Sequence, residues 1–333
     1  PFNGLPGLTI GNVKLDPDLT PEFTSVIEFG AQLGFFTNRI FVDLVYYDRT
    51  TTDQIGRVSV PDETGYSAFL TNFGEMTNKG VELGVTLIPL NTQSGLKWEI
   101  FSSYTRNRNE VVSLMDGVER LNVEPLYGFL NPIIQPGQPY GAFYGDRYLR
   151  DDDGNLLVNP DDGGYILNDD QGIIGDPNPN YLLGITNTIS FKGISLRAVL
   201  DYKDGGDIYS FGVARLLGRG VTKDTEDREN AYVLPGYLGD PESQEPLYDA
   251  NGNKIKNDVV LHTNDVYFRI ADYGASEFNI YDGTVVRLRE VVLSYELPQT
   301  WMSKTPFGSL MISFSGRNLW YNAPNIPKYT NKS

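Results

Sequence analysis

Residues 132–155, PIIQPGQPYGAFYGDRYLRDDDGN, gather Tyr140, Phe143, Tyr144 and Tyr148 beside Asp146 and Arg147. Aromatic faces offer contact area to sugar rings or peptide side chains, and a carboxylate or guanidinium alongside fixes orientation. Tyr140, Phe143, Tyr144, Asp146 and Arg147 are therefore the candidate ligand-binding residues. The competing reading has the aromatics folding back on their own loop or meeting a partner protein.

Three acidic stretches, DDDGN (151–155), PDDGG (160–164) and DANGN (249–253), resemble calcium loops, because hard cations take several oxygens from closely spaced Asp and Asn. None fits an EF-hand register, and no glutamate closes any of them. Asp-Gly and Asn-Gly turns account for all three, so no metal site is expected. For catalysis there is one histidine, His262, no thiol, and no G-x-S-x-G or P-loop spacing. The sequence thus points away from an enzyme and from any bound cofactor. Residues 222–231, TKDTEDRENA, have the caps for a short solvated helix beginning at Thr222 or Asp224.

Such residues act only if a framework holds them. The chain has 333 residues with 21 tyrosines and 35 glycines, which favours β structure rich in turns. A formal charge of −16 argues against nucleic acid, whose phosphates need clustered Lys and Arg. No stretch approaches the roughly 18 apolar residues of a spanning helix, and the opening PFNGLPGLTI has no signal-peptide character.

The framework shows in a period of two. Ile27, Phe29, Ala31, Leu33 and Phe35 alternate with Glu28, Gly30, Gln32 and Gly34. The same alternation places Ile40, Val42, Leu44 and Tyr46 on one face, then Val81, Leu83, Val85 and Leu87, then Trp98, Ile100 and Tyr104. It continues through Tyr181, Leu183, Ile185 and Ile189, through Leu196, Ala198, Leu200 and Tyr202, and through Val291, Leu293 and Tyr295, ending on Ile312 and Phe314. About eight strands of roughly 9 to 12 residues follow, in four hairpins. Short turns near 36–39, 89–96, 191–194 and 298–308 alternate with long polar segments near 48–79, 106–179 and 204–283.

One trimmed end and one elaborate end describe an antiparallel transmembrane β-barrel better than a soluble sandwich, with short periplasmic turns and long extracellular loops. The small and charged alternate residues, including Glu82, Gly84, Arg197 and Asp201, suit a wet or plugged lumen, while the apolar face meets lipid. Aromatics near strand ends, among them Phe35, Tyr46, Trp301 and Trp320, match headgroup girdles. Arg287 and Arg289 share the parity of Val291 and Leu293, which would place them on the lipid side and therefore at or above the outer interface.

The segments NKGVELGVTLIP (78–89), KWEIFSSYTRNRNEVVSL (97–114), GDPNPNYLLGITNTISFKGISLRAVLDYKDGGDIYS (175–210), VVRLREVVLSYELP (285–298) and GRNLWYN (316–322), together with 15–55, resemble the C-terminal part of SusC/RagA-type TonB-dependent receptors of Bacteroidetes. The resemblance covers nearly the whole chain. It implies a barrel of about 22 strands closed by a plug. It also implies energisation through the TonB complex, a SusD-like surface lipoprotein as partner, and import of oligosaccharides in most cases and peptides in some. On this reading residues 1–333 are the C-terminal portion of the barrel, without the plug, the first part of the barrel or its final strand. Its partners would be the remainder of the barrel, membrane lipid or lipopolysaccharide, and the substrate. Physics agrees: an arc of eight strands leaves two unpaired edges, each bare group costing several kcal/mol in hydrocarbon. The alternatives are a soluble secreted β-rich carbohydrate-binding module or hydrolase, and a surface adhesin.

Overall fold

The computed structural model describes residues 13–60, 62–123, 130–303 and 305–327. The opening PFNGLPGLTI, read above for a signal peptide, and residues 328–333 lie outside them.

Alternation of apolar and polar residues produces one large antiparallel meander. Its strands are β1 (Phe23–Phe35), β2 (Ile40–Ser59), β3 (Ala68–Asn91), β4 (Lys97–Leu114), β5 (Pro179–Phe191), β6 (Ile194–Gly205), β7 (Val285–Glu296) and β8 (Met311–Asn322). Each pairs with its sequence neighbours in the order β1 to β8, and a short strand, Val13–Leu15, lies parallel to the start of β3. Lys192 and Gly193 both have positive φ, 49° and 86°, as a two-residue hairpin turn twisted with its strands requires.

The register carries the sequence pattern across the sheet. Ala31, Leu44, Leu83, Tyr104, Leu183 and Tyr202 pair in one continuous row, and Leu33, Val42, Val85, Ser102, Ile185 and Leu200 form the next row on the same face. The opposite face carries the row Gln32, Asp43, Gly84, Ser103, Gly184, Asp201 and Arg287. A one-residue slip anywhere would exchange the two faces, so the pattern fixes the pairing.

What covers the apolar face separates the fold classes. Phe29 is 68% exposed and Phe314 72%, and Ile27, Leu33, Leu44, Leu196 and Leu293 also stand open. In a sandwich these side chains would be the core. Most of the largest fully buried side chains, among them Leu130, Ile133, Leu157, Val158 and Val213, lie instead in the connections, and Val111 of β4 is buried with Phe73 of β3 against Leu121 and Ile134 of one connection. The sheet therefore has no core of its own, and its long connections pack into a layer that does. One cluster joins Tyr148, Val158, Leu234, Leu261, Val266, Ile270 and Ala275, drawn from two connections far apart in sequence. Every residue of β1 is exposed, as are all of β8 but Gly316, and among the described residues neither strand has a partner on its outer edge.

Three expectations are corrected. First, 48–79 is mostly strand: β2 runs 20 residues and β3 runs 24, with polar pairs such as Thr50 with Thr77 and an ion pair from Lys79 to Asp48 at 3.1 Å. Polarity there marks a ladder beyond the apolar rows, on which threonine pairs well and whose Thr51, Thr71 and Phe73 are buried. Second, the pairing of β6 with β7 shifts by one residue at Arg289, a bulge that reverses parity along β7. Arg287 therefore lies on the polar face opposite Asp201, while Leu288 joins the apolar face opposite Leu200. Third, only Lys223–Thr225 of the expected helix at 222–231 is helical, as a single turn. The helix of this connection is α1 (Phe211–Gly218), which buries Val213, Ala214 and Leu217. TKDTEDRENA has no apolar face to bury, and helices shorter than about 12 residues rely on tertiary packing.

Candidate functional site

The connection between β4 and β5 folds into a four-stranded antiparallel sheet in the order Gly172–Gly175, Ala142–Gly145, Asn131–Ile134 and Leu121–Asn122. Ile133 and Phe143 are buried in it. Tyr144 sits centrally, paired with Asn131 on one side and Ile173 on the other. Its hydroxyl donates to the Gln171 carbonyl at 3.2 Å, which fixes the ring at the edge of a groove.

That groove has a volume of about 1000 Å³ and is lined by Arg120, Gln135, Tyr144, Arg147, Gln171 and Ile173 among others. The Arg120 guanidinium stacks 3.8 Å from the centre of the Tyr144 ring. Arg147 Nη2 donates to the Asp170 carbonyl at 3.2 Å, and Gln171 Nε2 donates to Asp146 Oδ1 at 2.8 Å. A second groove of about 730 Å³ lies nearer the ends of β2 and β3, lined by Glu22, Gln54, Arg57, Met76, Asn131 and Tyr140 among others.

The five sequence candidates thus fall into distinct places. Tyr144 and Arg147 line the larger groove, and Tyr140 lines the smaller one, its backbone N–H held by Asn109 Oδ1 at 2.6 Å. Asp146 reaches the larger groove only through Gln171. Phe143 is buried within the small sheet. Sequence reasoning missed Arg120, 24 residues before Tyr144 and brought to it by the strand order of the small sheet. No short-range pattern signals that approach.

Around the groove, carboxylates are spent on structure. Asp151 Oδ1 accepts the backbone N–H of Asp153 and Asn155, and Asp249 Oδ1 accepts those of Asn251 and Asn253, so DDDGN and DANGN form matching turns. Lys254 Nζ lies 2.6 Å from Asp151 Oδ2 and 2.7 Å from Asp153 Oδ2, tying one turn to the other. Burial alone would raise the Asp151 carboxyl, but hydrogen bonds from Lys254 and Asn155 outweigh it and hold the group down at about 2. In PDDGG, Asp162 accepts from Arg269 Nη1 at 2.6 Å. Among the described residues no three acidic, histidine or cysteine side chains are placed to hold a metal ion.

Two further contacts fasten the β6–β7 connection to the β4–β5 connection and to itself. The Tyr148 hydroxyl donates to the Ile270 carbonyl at 3.0 Å, and burial pushes this phenol well above its ordinary range. Asp272, its side chain fully buried, pairs with Arg215 at the C-terminal turn of α1 and with Arg219 at 3.7 Å. His262 is exposed on a short strand, Val260–His262, paired with Ala231–Val233.

A wall of alternating faces, an uncovered apolar side and a folded loop layer agree with what sequence comparison finds. The model of the family described as TonB dependent receptor-like, beta-barrel matches residues 2–319. The chain belongs to that family. The family is one of outer-membrane β-barrels, which cross the bilayer with strands; among the described residues no helix is long and apolar enough to do so. TonB-dependent receptor P3 of Formosa agariphila is 26% identical over 320 residues, 90% of this chain and 29% of the relative. TonB-dependent receptor P26 of the same organism is 25% identical, covering 94% of this chain and 31% of the relative. This TonB-dependent receptor chain thus spans about a third of the length of its curated relatives. Among solved structures it is similar in fold to the RagAB peptide transporter, with a TM-score of 0.64 and 20% identity, over 93% of this chain and 33% of that one.

Proposed function

We propose that this chain is the C-terminal portion of the barrel wall and loops of an outer-membrane importer. Its apolar rows face lipid, its polar face lines a plugged lumen, and its folded connections lie outside the cell and receive the substrate. The supporting observation is the distribution of burial: open apolar rows on the sheet, and a core built from the connections and the ends of β3 and β4 that they cover. The unpaired outer edges of β1 and β8 call for further strands, because each bare backbone group in hydrocarbon costs several kcal/mol.

The cargo is an oligosaccharide, taken up with a SusD-like lipoprotein capping the loops and with energy passed from TonB to a plug. A peptide is the second reading, favoured by the similarity in fold to a peptide transporter. The chain itself performs no covalent chemistry in this scheme. Tyr140, Tyr144 and Arg147 are the contacts of the incoming ligand, and Phe143 and Asp146 support them.

Growth tests this. A host lacking the intact gene should fail on a defined class of oligosaccharide or peptide as sole carbon source, and complementation should restore growth. The full-length protein should sediment with outer membranes and bring a lipoprotein with it. Unchanged growth on every such source, together with recovery of the protein free of membrane and detergent, would refute the proposal.

A further inference from the structure

We infer that the groove at Arg120 and Arg147 binds a carboxylate group, so that the importer proposed above selects substrates carrying negative charge; the inference rests on that reading of the loops. Tyr144 is the ring that sequence reasoning offers for sugar stacking, but Arg120 already covers one of its faces at 3.8 Å. A guanidinium lying flat on a ring keeps its N–H donors in its own plane, directed past the ring edge. Among the described residues no carboxylate pairs with Arg120 or with Arg147.

Arg147 also has donors to spare. One terminal nitrogen donates to the Asp170 carbonyl, and its Nε is buried without an acceptor. A buried donor left unmade costs free energy that an anionic ligand would recover. The guanidinium occupies space that exists because residue 172 is glycine: a Cβ there would come within 2.6 Å of Arg147 Cζ. Gln135 and Gln171 add amide groups to the lining, and Glu119 is its one acid against two arginines. In a chain with formal charge −16, a groove with excess positive charge is a local exception. Planar guanidinium forks match carboxylates in two-point geometry, so this is the ligand chemistry the groove fits.

A carboxylate can come from an acidic sugar or an acidic peptide, and paired probes separate them. The full-length receptor in detergent would be titrated with a short oligogalacturonate and its methyl ester, and with a short oligoglutamate and the matching oligoglutamine. The anionic member of at least one pair should bind about tenfold more tightly than its neutral partner, and added salt should shrink that gap. Arg120→Gln and Arg147→Gln should each reduce the preference. Gly172→Ala, which displaces the Arg147 guanidinium without removing its charge, should do the same. Heat-modifiable migration on gels checks that each variant is folded. Equal affinity within both pairs, a preference that survives the Arg120→Gln/Arg147→Gln double variant, or no binding of any probe would overturn the inference. The import reading is judged separately, by the growth phenotype.

Discussion

Arg289 Nη1 lies 3.0 Å from Asp201 Oδ2 on the polar side of the sheet, and it gets there as the extra residue of a β-bulge. Were Arg289 paired in regular alternation instead, Arg287 would fall on the apolar face, where an arginine costs about 2–4 kcal/mol at the bilayer midplane and less near its rims. Deleting Arg289 alone closes the bulge and leaves Arg287 opposite Asp201, so the yield of folded, heat-modifiable barrel should hold, whereas deleting Leu288 and Arg289 together puts Arg287 on the apolar face and should sharply reduce it. Replacing Arg289 by alanine removes only an exposed ion pair, worth less than about 1 kcal/mol, and should leave that yield unchanged.

Asp272 makes a comparable point within the loop layer. Its carboxylate is fully buried and meets Arg215 and Arg219, both partly solvated. Removing the cation from a buried carboxylate leaves an uncompensated buried charge and costs about 3 kcal/mol at the low end. Arg215→Met should make residues 204–283 the first site of limited proteolysis, while the strands remain protected.

The turn pair tied by Lys254 should respond to acid. Asp151 sits near 2 when folded against an ordinary 3.8, so its contribution is complete above about pH 4 and fades as pH falls from about 4 towards 2. Lys254 is raised above 10.5 by its hydrogen bonds to Asp151 and Asp153, so its own contribution is full up to that pH. The protection of residues 150–156 and 248–255 against hydrogen exchange, taken relative to the intrinsic rate at each pH, should fall below pH 4. In Lys254→Met that protection should be lower at neutral pH and change less on acidification.

Most of the framework was legible in the sequence because a wall between lipid and water imposes a two-residue period on every strand. Leu33, Leu83, Leu183 and Leu293 announce their strands without any tertiary information. The failures occur where that constraint lapses. Beyond the apolar rows strict alternation lapses and most residues of 48–54 and 74–79 are polar, so a ladder such as Thr50 with Thr77 looks like a loop. A bulge leaves no mark in local composition, which is why Arg287 was assigned to the wrong face. At the candidate site, the aromatic cluster marks a connection that lines a groove, but only the small sheet's topology shows that Tyr144 stacks under Arg120 while Phe143 turns inward.

The central claim concerns which side of the sheet meets lipid, and spin labels read it directly. Single labels would be placed at Leu44, Leu83 and Leu183, and at their counterparts on the other face, Asp43, Gly84 and Gly184, in the full-length receptor reconstituted into bilayers. The account predicts that the leucine positions collide preferentially with dissolved oxygen and the other three with a water-soluble nickel reagent, alternating residue by residue. Equal access of the water-soluble reagent to both sets, or shielding of the leucine set from both reagents as in a packed protein core, would contradict it.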